Sequence, residues 1–224
     1  VYSLPSPVAS AEAFFRKFYD RSPDRAYIWQ HALASLKVVL IGGGLGVAVG
    51  IPLGILMGWY TRFDLFFKGI FDVIRPIPPI AWIPIVIMWF GIGEFPKVLL
   101  VFIGTFVPLV INTSTGIEMV DKINLDVGHV FGGNNRQILT DIVIPTALPS
   151  IFAGIRTSVS SGWTTVLAAE MLGAQKGLGA LVTRGWQGSD MALVLVSVIT
   201  IAIIGALLSL GLQKLEKVVC PWNN

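Results

Sequence analysis

The sequence predicts an all-α fold, a polytopic membrane helix bundle of about five spans, with several apolar runs of roughly 20 residues. Three observations predict it. Charged residues are 13% of the 224 positions and hydrophobic ones 54%, whereas soluble domains carry about 25% charged residues. The apolar runs continue without the two-residue alternation that a lipid-facing barrel strand needs. Polar residues collect in short connections and in a single longer interval, roughly residues 118–141.

The organisation that follows is an extracytoplasmic or interfacial segment over 1–30, a transmembrane domain over 31–217 containing a water-exposed loop at 118–146, and a tail at 218–224. In the first segment Phe14, Phe15, Phe18 and Tyr19 alternate with Arg16, Lys17 and Arg21. That pattern fits a helix lying at the membrane surface. The first span, about His31 to Trp59, repeats Gly42, Gly46, Gly50, Gly54 and Gly58 on one face. In lipid no hydrophobic force joins helices, so such a small-residue ladder marks a packing seam, within one subunit or between two. Pro52 should bend this span near its middle.

Asp64, Lys68 and Asp72 sit four apart and Arg75 three further on, so one helical face can carry a charge ladder. The apolar piece from Ile77 to Phe90 is too short to cross about 30 Å as a helix. It also holds Pro78, Pro79 and Pro84 directly after Pro76. It must borrow length from residues 65–75, or line a protein-covered cavity as irregular backbone. Lys97 to Glu118 makes the next span, Ala147 to Leu172 crosses back, and Met191 to Leu212 is the last. Ser150, Gly154, Ser158 and Gly162 repeat the small-residue ladder on the returning span.

The polar interval has local chemistry of its own. Asn134 can cap a helix, and Gln137 can reach back to it as in a capping box. Ile138 and Ile142 then share one face. Gly132 and Gly133 mark a break before the cap, and Pro145 closes the segment. Val127 and Gly128 are poor helix formers and should loosen the first helix. The expectation is helix, glycine turn, helix, with one apolar stripe that needs a partner. If this loop is cytoplasmic, its side holds Arg62, Lys68, Lys122, Arg136, Lys214 and Lys217 against Lys97, Lys176 and Arg184 opposite. That is a positive-inside bias.

Several functions are excluded by what the sequence lacks. No G-x-x-x-x-G-K-[ST] or G-x-G-x-x-G occurs, so the chain has no recognisable means of binding ATP. His31 and His129 lie in different regions, Cys220 is the single cysteine, and no acid cluster has metal-ligand spacing. The bases are scattered, so a pI near 9.1 does not indicate nucleic acid. No nucleophile and base pair up, which disfavours a membrane-embedded enzyme. A secondary transporter or channel without an ATPase partner stays open as the alternative; it would want inverted repeats or a buried charge relay, and neither stands out. Passage is the remaining task. Its candidate path is the polar content of apolar spans: Asn112, Thr113, Ser160, Ser161 and Thr164, with Trp82 and Trp163 as walls. Each has a plainer reading, since Ser and Thr bond back to their own helix and Trp anchors interfaces. Glu170, at the far end of an apolar helix, is a gate or a structural acid, the latter by pairing with Lys176 or Arg184.

The run D-V-G-H-V-F-G-G-N-N-R-Q-I-L-T-D-I-V-I-P, 126–145, resembles the EAA loop of ABC importer permeases. Asp126, Gly132, Ile142 and Pro145 fall on its spacing, while Asp126 itself, Val127, Gly128 and Ile144 depart from its residue types. R-P-I-P-P-I-A-W-I-P with W-F-G-I-G-E, and G-W-T-T-V-L-A-A-E-M-L-G-A-Q-K-G-L-G, resemble the branch that imports nitrate, bicarbonate, taurine and alkanesulfonates. The resemblance implies type I ABC importer permease architecture in a bacterial plasma (inner) membrane. Its usual sixth span would lie ahead of the L-P-S-P at 4–7 and so precede Val1. A start at Val1 rather than Met suits an N-terminal piece removed or not included. By resemblance the chain pairs with a second copy, two cytoplasmic ABC ATPase subunits and a periplasmic or lipid-anchored binding protein. ATP and Mg would sit on the ATPases, with no cofactor in this chain. The ATPase-coupling residues would be Asp126, Gly132, Gly133, Asn134, Asn135, Arg136, Ile142 and Pro145. The cargo would be a small anion such as a sulfonate or taurine, nitrate or bicarbonate.

Overall fold

The structure, a computed structural model, describes residues 6–20 and 26–223. Leu4 and Pro5 of the L-P-S-P run and Arg21 of the first segment lie outside the described residues. Among the described residues every element is helical. α1 (Pro7–Tyr19) packs against the last helix, and four helices are long and apolar enough to cross a bilayer. These are α2 (Ile28–Trp59), α5 (Glu94–Glu118), the run 135–171 that ends in α8 (Ile144–Met171), and α10 (Met191–Val219). A fifth crossing is available only as a bent pair. α3 (Thr61–Ile74) and the piece Pro79–Phe90, a 3₁₀ turn followed by α4 (Ile83–Phe90), meet at 83°. The prolines decide this, since Pro76, Pro78 and Pro79 cannot donate the hydrogen bonds that would carry α3 through.

α2 and α5 lie side by side and run in the same direction. A Cβ added at Gly42, Gly54 or Gly58 would come within 2.8 Å of Val101, 2.6 Å of Thr113 and 2.6 Å of Ile117 respectively. Gly46 presses on Thr105 and Gly50 on Leu109 in the same register. The glycine ladder is therefore a seam inside one subunit. Pro52 sits within an unbroken α2. α8 returns antiparallel along α5, with Gly116 against Ser150, Gly154 against Asn112 and Gly162 against Thr105. Val38, Val39, Val101, Trp163, Val166 and Leu178 form the buried cluster where α2, α5 and α8 meet the start of the helix after α8. α9 (Leu178–Gln187) caps the end of the bundle opposite the loop. α10 closes one side, tied to α8 by an ion pair between Arg156 and Glu216.

The charge ladder forms only in part. Lys68 lies 3.8 Å from Asp64, but Asp72 and Arg75 make no ion pair among the described residues. Arg75 closes the last turn of α3 in α conformation, its N–H on the Phe71 carbonyl at 2.8 Å, but its side chain lines a cavity instead of meeting Asp72.

Candidate functional site

The loop between α5 and α8 folds as α6 (Lys122–Val130), a glycine turn, α7 (Asn135–Gln137) and a π turn over Ile138–Val143 that runs on into α8. Asp121 caps α6, accepting from the Ile123 amide at 3.0 Å. Gly132 takes φ +81°, a left-handed conformation that a side chain would strain. Gly133 then donates back to the Gly128 carbonyl at 3.0 Å. The capping box is present in both directions: Gln137 N–H donates to Asn134 Oδ1 at 2.9 Å and Asn134 N–H to Gln137 Oε1 at 3.0 Å.

Two expectations for this loop need correcting. Pro145 does not close the segment, because it stands in the first turn of α8 and the helix continues through it. The preceding π turn is wider than an α turn, and there the missing proline N–H interrupts no α-helical ladder. Gly128 does not loosen α6 either. A Cβ there would approach Ile142 Cδ1 to 2.7 Å and Ile138 Cγ1 to 3.1 Å. Glycine is what lets α6 lie on those two isoleucines, and this packing outweighs its poor propensity. Ile138 and Val143 are buried with Ile117, Val120, Ala147 and Ile151, so the loop is anchored to the adjoining ends of α5 and α8.

On the other side of α6 the sequence reading missed a surface. Ile123, Val127, Val130 and Phe131 follow helical spacing and all face outward, Val130 at 85% and Phe131 at 87% exposure. The signal was there in the three- and four-residue spacing, but the polar composition of the interval hid it. Asp126, Asn134, Asn135 and Arg136 are exposed beside this stripe, and nothing lies within 4 Å of where a Gly132 Cβ would stand.

A second feature lies at the break after α3. A cavity of about 270 Å³ opens there, and its walls include Arg75, Pro79, Trp82, Asn112, Thr157 and Ser161. The structure thus brings together Trp82, Asn112 and Ser161 of the predicted path. Asn112 Nδ2 donates to the Pro108 carbonyl at 2.7 Å, and Thr157 Oγ1 to the Ala153 carbonyl at 2.9 Å. The buried Trp82 indole N–H has no acceptor. The other path candidates lie elsewhere. Thr113 is buried under Gly54 of α2. Ser160 and Trp163 line a small groove towards Gly205 of α10. Thr164 is exposed, with its hydroxyl donating to the Ser161 carbonyl at 2.9 Å.

The third feature is at the opposite end. Glu170, 1% exposed, accepts from Ser35 Oγ at 2.8 Å and from the Gly179 amide at 3.0 Å. Ser35 Oγ in turn accepts from the Leu178 amide at 3.0 Å. His31 Nδ1 sits 3.1 Å from both the N and the O of Gly177. The expected pairing of Glu170 with Lys176 or Arg184 is not made. The chain folds back at Gly177, where a Cβ would collide with the carboxylate, so backbone amides reach it before any long cation does. Among the described residues no group of three or more His, Cys, Asp or Glu could hold a metal ion.

Comparison with known proteins connects these features. Residues 50–220 match the family described as binding-protein-dependent transport system inner membrane component. Over 198 residues the chain is 35% identical to the taurine transport system permease protein of Escherichia coli (strain K12), covering 88% of this chain and 72% of that protein. It is 32% identical over 223 residues to the nitrate import permease protein of Synechocystis sp., covering 98% and 81%. An inward-facing structure of the MetNI methionine ABC transporter superposes with a TM-score of 0.72 at 18% identity, covering 86% of this chain and 97% of that one, a likeness of fold. The chain belongs to the family of binding-protein-dependent transport system inner membrane components and is a membrane-spanning permease subunit of an ABC transporter.

Proposed function

We propose that two copies of this permease work as a symmetric pair in a bacterial inner membrane, each engaging one cytoplasmic ABC ATPase through the loop at 118–146. The observation that carries this reading is the outward apolar stripe Ile123, Val127, Val130 and Phe131 on a helix that packing holds against α8. A short helix outside the bilayer with large apolar residues turned to water needs a hydrophobic cleft on a partner. Asn134, Asn135 and Arg136 supply polar contacts at its rim, and Asp126 lies on the same loop. ATP and Mg act on the partner subunits, where hydrolysis takes place. A periplasmic or lipid-anchored binding protein delivers cargo to the opposite face. ATP closes the ATPase pair, the two loops approach each other, and the spans alternate their opening. Energy enters because the ATP state of the partner favours one arrangement over the other.

The cargo is a small anion, with sulfonates and taurine ahead of nitrate and bicarbonate, as the names of the similar permeases suggest. Its path runs by Trp82, Asn112 and Ser161 at the break in α3. Glu170 acts as a structural acid rather than a gate, because hydroxyl and amide donors from α2 and α9 enclose it. Gly132→Glu tests the coupling step, because Gly132 stands in open space and a long acid there would obstruct docking. Membrane insertion should be normal, while ATP-dependent uptake in proteoliposomes and co-purification of the ATPase should be lost. Normal uptake by this variant would move the docking point away from the loop.

A further inference from the structure

We propose that Arg75 is the anion-selecting residue of the translocation path, binding the charged end of the cargo beside the Trp82 indole in the cavity at the break of α3. This rests on the reading of the chain as an importer of small anions and adds the residue that sets the charge of the cargo.

The depth of Arg75 is the first argument. Arg75 shares a cavity wall with Val107 and Pro108, near the middle of the α5 span Glu94–Glu118. A guanidinium so placed is costly unless it meets a counter-charge or a wet cavity. Asp72, one turn back on α3, makes no ion pair with it, and other carboxylates are engaged elsewhere. Asp64 pairs with Lys68, Glu94 with Lys37 and Glu216 with Arg156, and Glu170 is held by Ser35 and Gly179. Among the described residues no carboxylate is within ion-pair distance of Arg75.

The cavity is the second argument. Arg75 is its one ionisable wall residue; the rest of the lining is apolar or neutral polar. A single positive charge with low-dielectric walls concentrates the field in the space it faces. An anion in this space would meet the guanidinium with a charge of opposite sign, and a cation would not. At about 270 Å³ the space lies below the roughly 300–1,000 Å³ of sites for drug-sized ligands, which suits a small solute.

The test uses the full importer, with its ATPase and binding protein, in proteoliposomes supplied with ATP and radiolabelled taurine, nitrate or bicarbonate in separate arms. Arg75→Gln should lower uptake of the transported anion by about tenfold or more, the loss expected for a charge-assisted hydrogen bond. Arg75→Lys should recover a large part of the rate, and both variants should still co-purify with the ATPase. Wild-type uptake by Arg75→Gln would overturn the inference and leave the importer reading intact. So would a loss that Arg75→Lys does not recover, which would make the role one of shape rather than charge. If the wild-type importer carries a neutral solute and none of the three anions, the anion site fails while the ATPase-driven reading stands. If the chain recruits no ATPase at all, that wider reading fails, with a signature of its own.

Discussion

Glu170 shows how a single residue can join three helices. Its carboxylate takes the Ser35 hydroxyl from α2 and the Gly179 amide from α9 while standing on α8. Truncation would leave those donors buried without acceptors, at about 1–3 kcal/mol for each unsatisfied group. Glu170→Ala should therefore lower the thermal unfolding midpoint of the detergent-solubilised permease, and Glu170→Gln, which keeps an acceptor oxygen, should lower it less. Equal midpoints for wild type and Glu170→Ala would mean that the knot contributes nothing. The sequence marked Glu170 as an unusual acid but not its partners. Ser35 lies 135 positions away and Gly179 donates only backbone, and neither kind of partner leaves a pattern in composition or spacing. Arg75 was misread for a related reason. Its helical spacing from Asp72 is kept, but the cavity that its side chain lines is made by residues of α5 and α8 far away in sequence.

At the scale of elements, the loop was largely legible. The capping box of Asn134 and Gln137, the break at Gly132 and the pairing of Ile138 with Ile142 are local chemistry, and local chemistry can be read along a chain. What could not be read was tertiary. Gly128 counts against a helix by propensity, yet it gives α6 its seat on Ile138 and Ile142. This yields a prediction whose sign opposes propensity. Gly128→Leu raises helix propensity by just under about 1 kcal/mol, but its side chain would push α6 off those isoleucines, an overpacking cost of about 1–3 kcal/mol. The variant should insert normally and recover less ATPase on co-purification. Recovery equal to wild type would show that α6 does not need this seat.

At the scale of the whole molecule, the bundle divides into parts that interlock and parts that do not. Five glycines of α2 fit against α5 in one constant register, while the α3–α4 crossing is broken and faces a cavity. A Cβ at Gly50 would lie 3.5 Å from Leu109 Cβ, at the near limit for a disulfide. Gly50→Cys with Leu109→Cys, in a Cys220→Ser background, should oxidise readily and leave uptake close to that of the reduced protein. A cross-link that stops uptake reversibly would show that these two helices separate during the cycle. The ladder of small residues also has a consequence for how such a protein can change shape. Two helices toothed together at every turn resist sliding, as a rack resists its pinion's slip, so they can only be carried as one plank. The bend at the proline-broken crossing is then the place to look for a hinge.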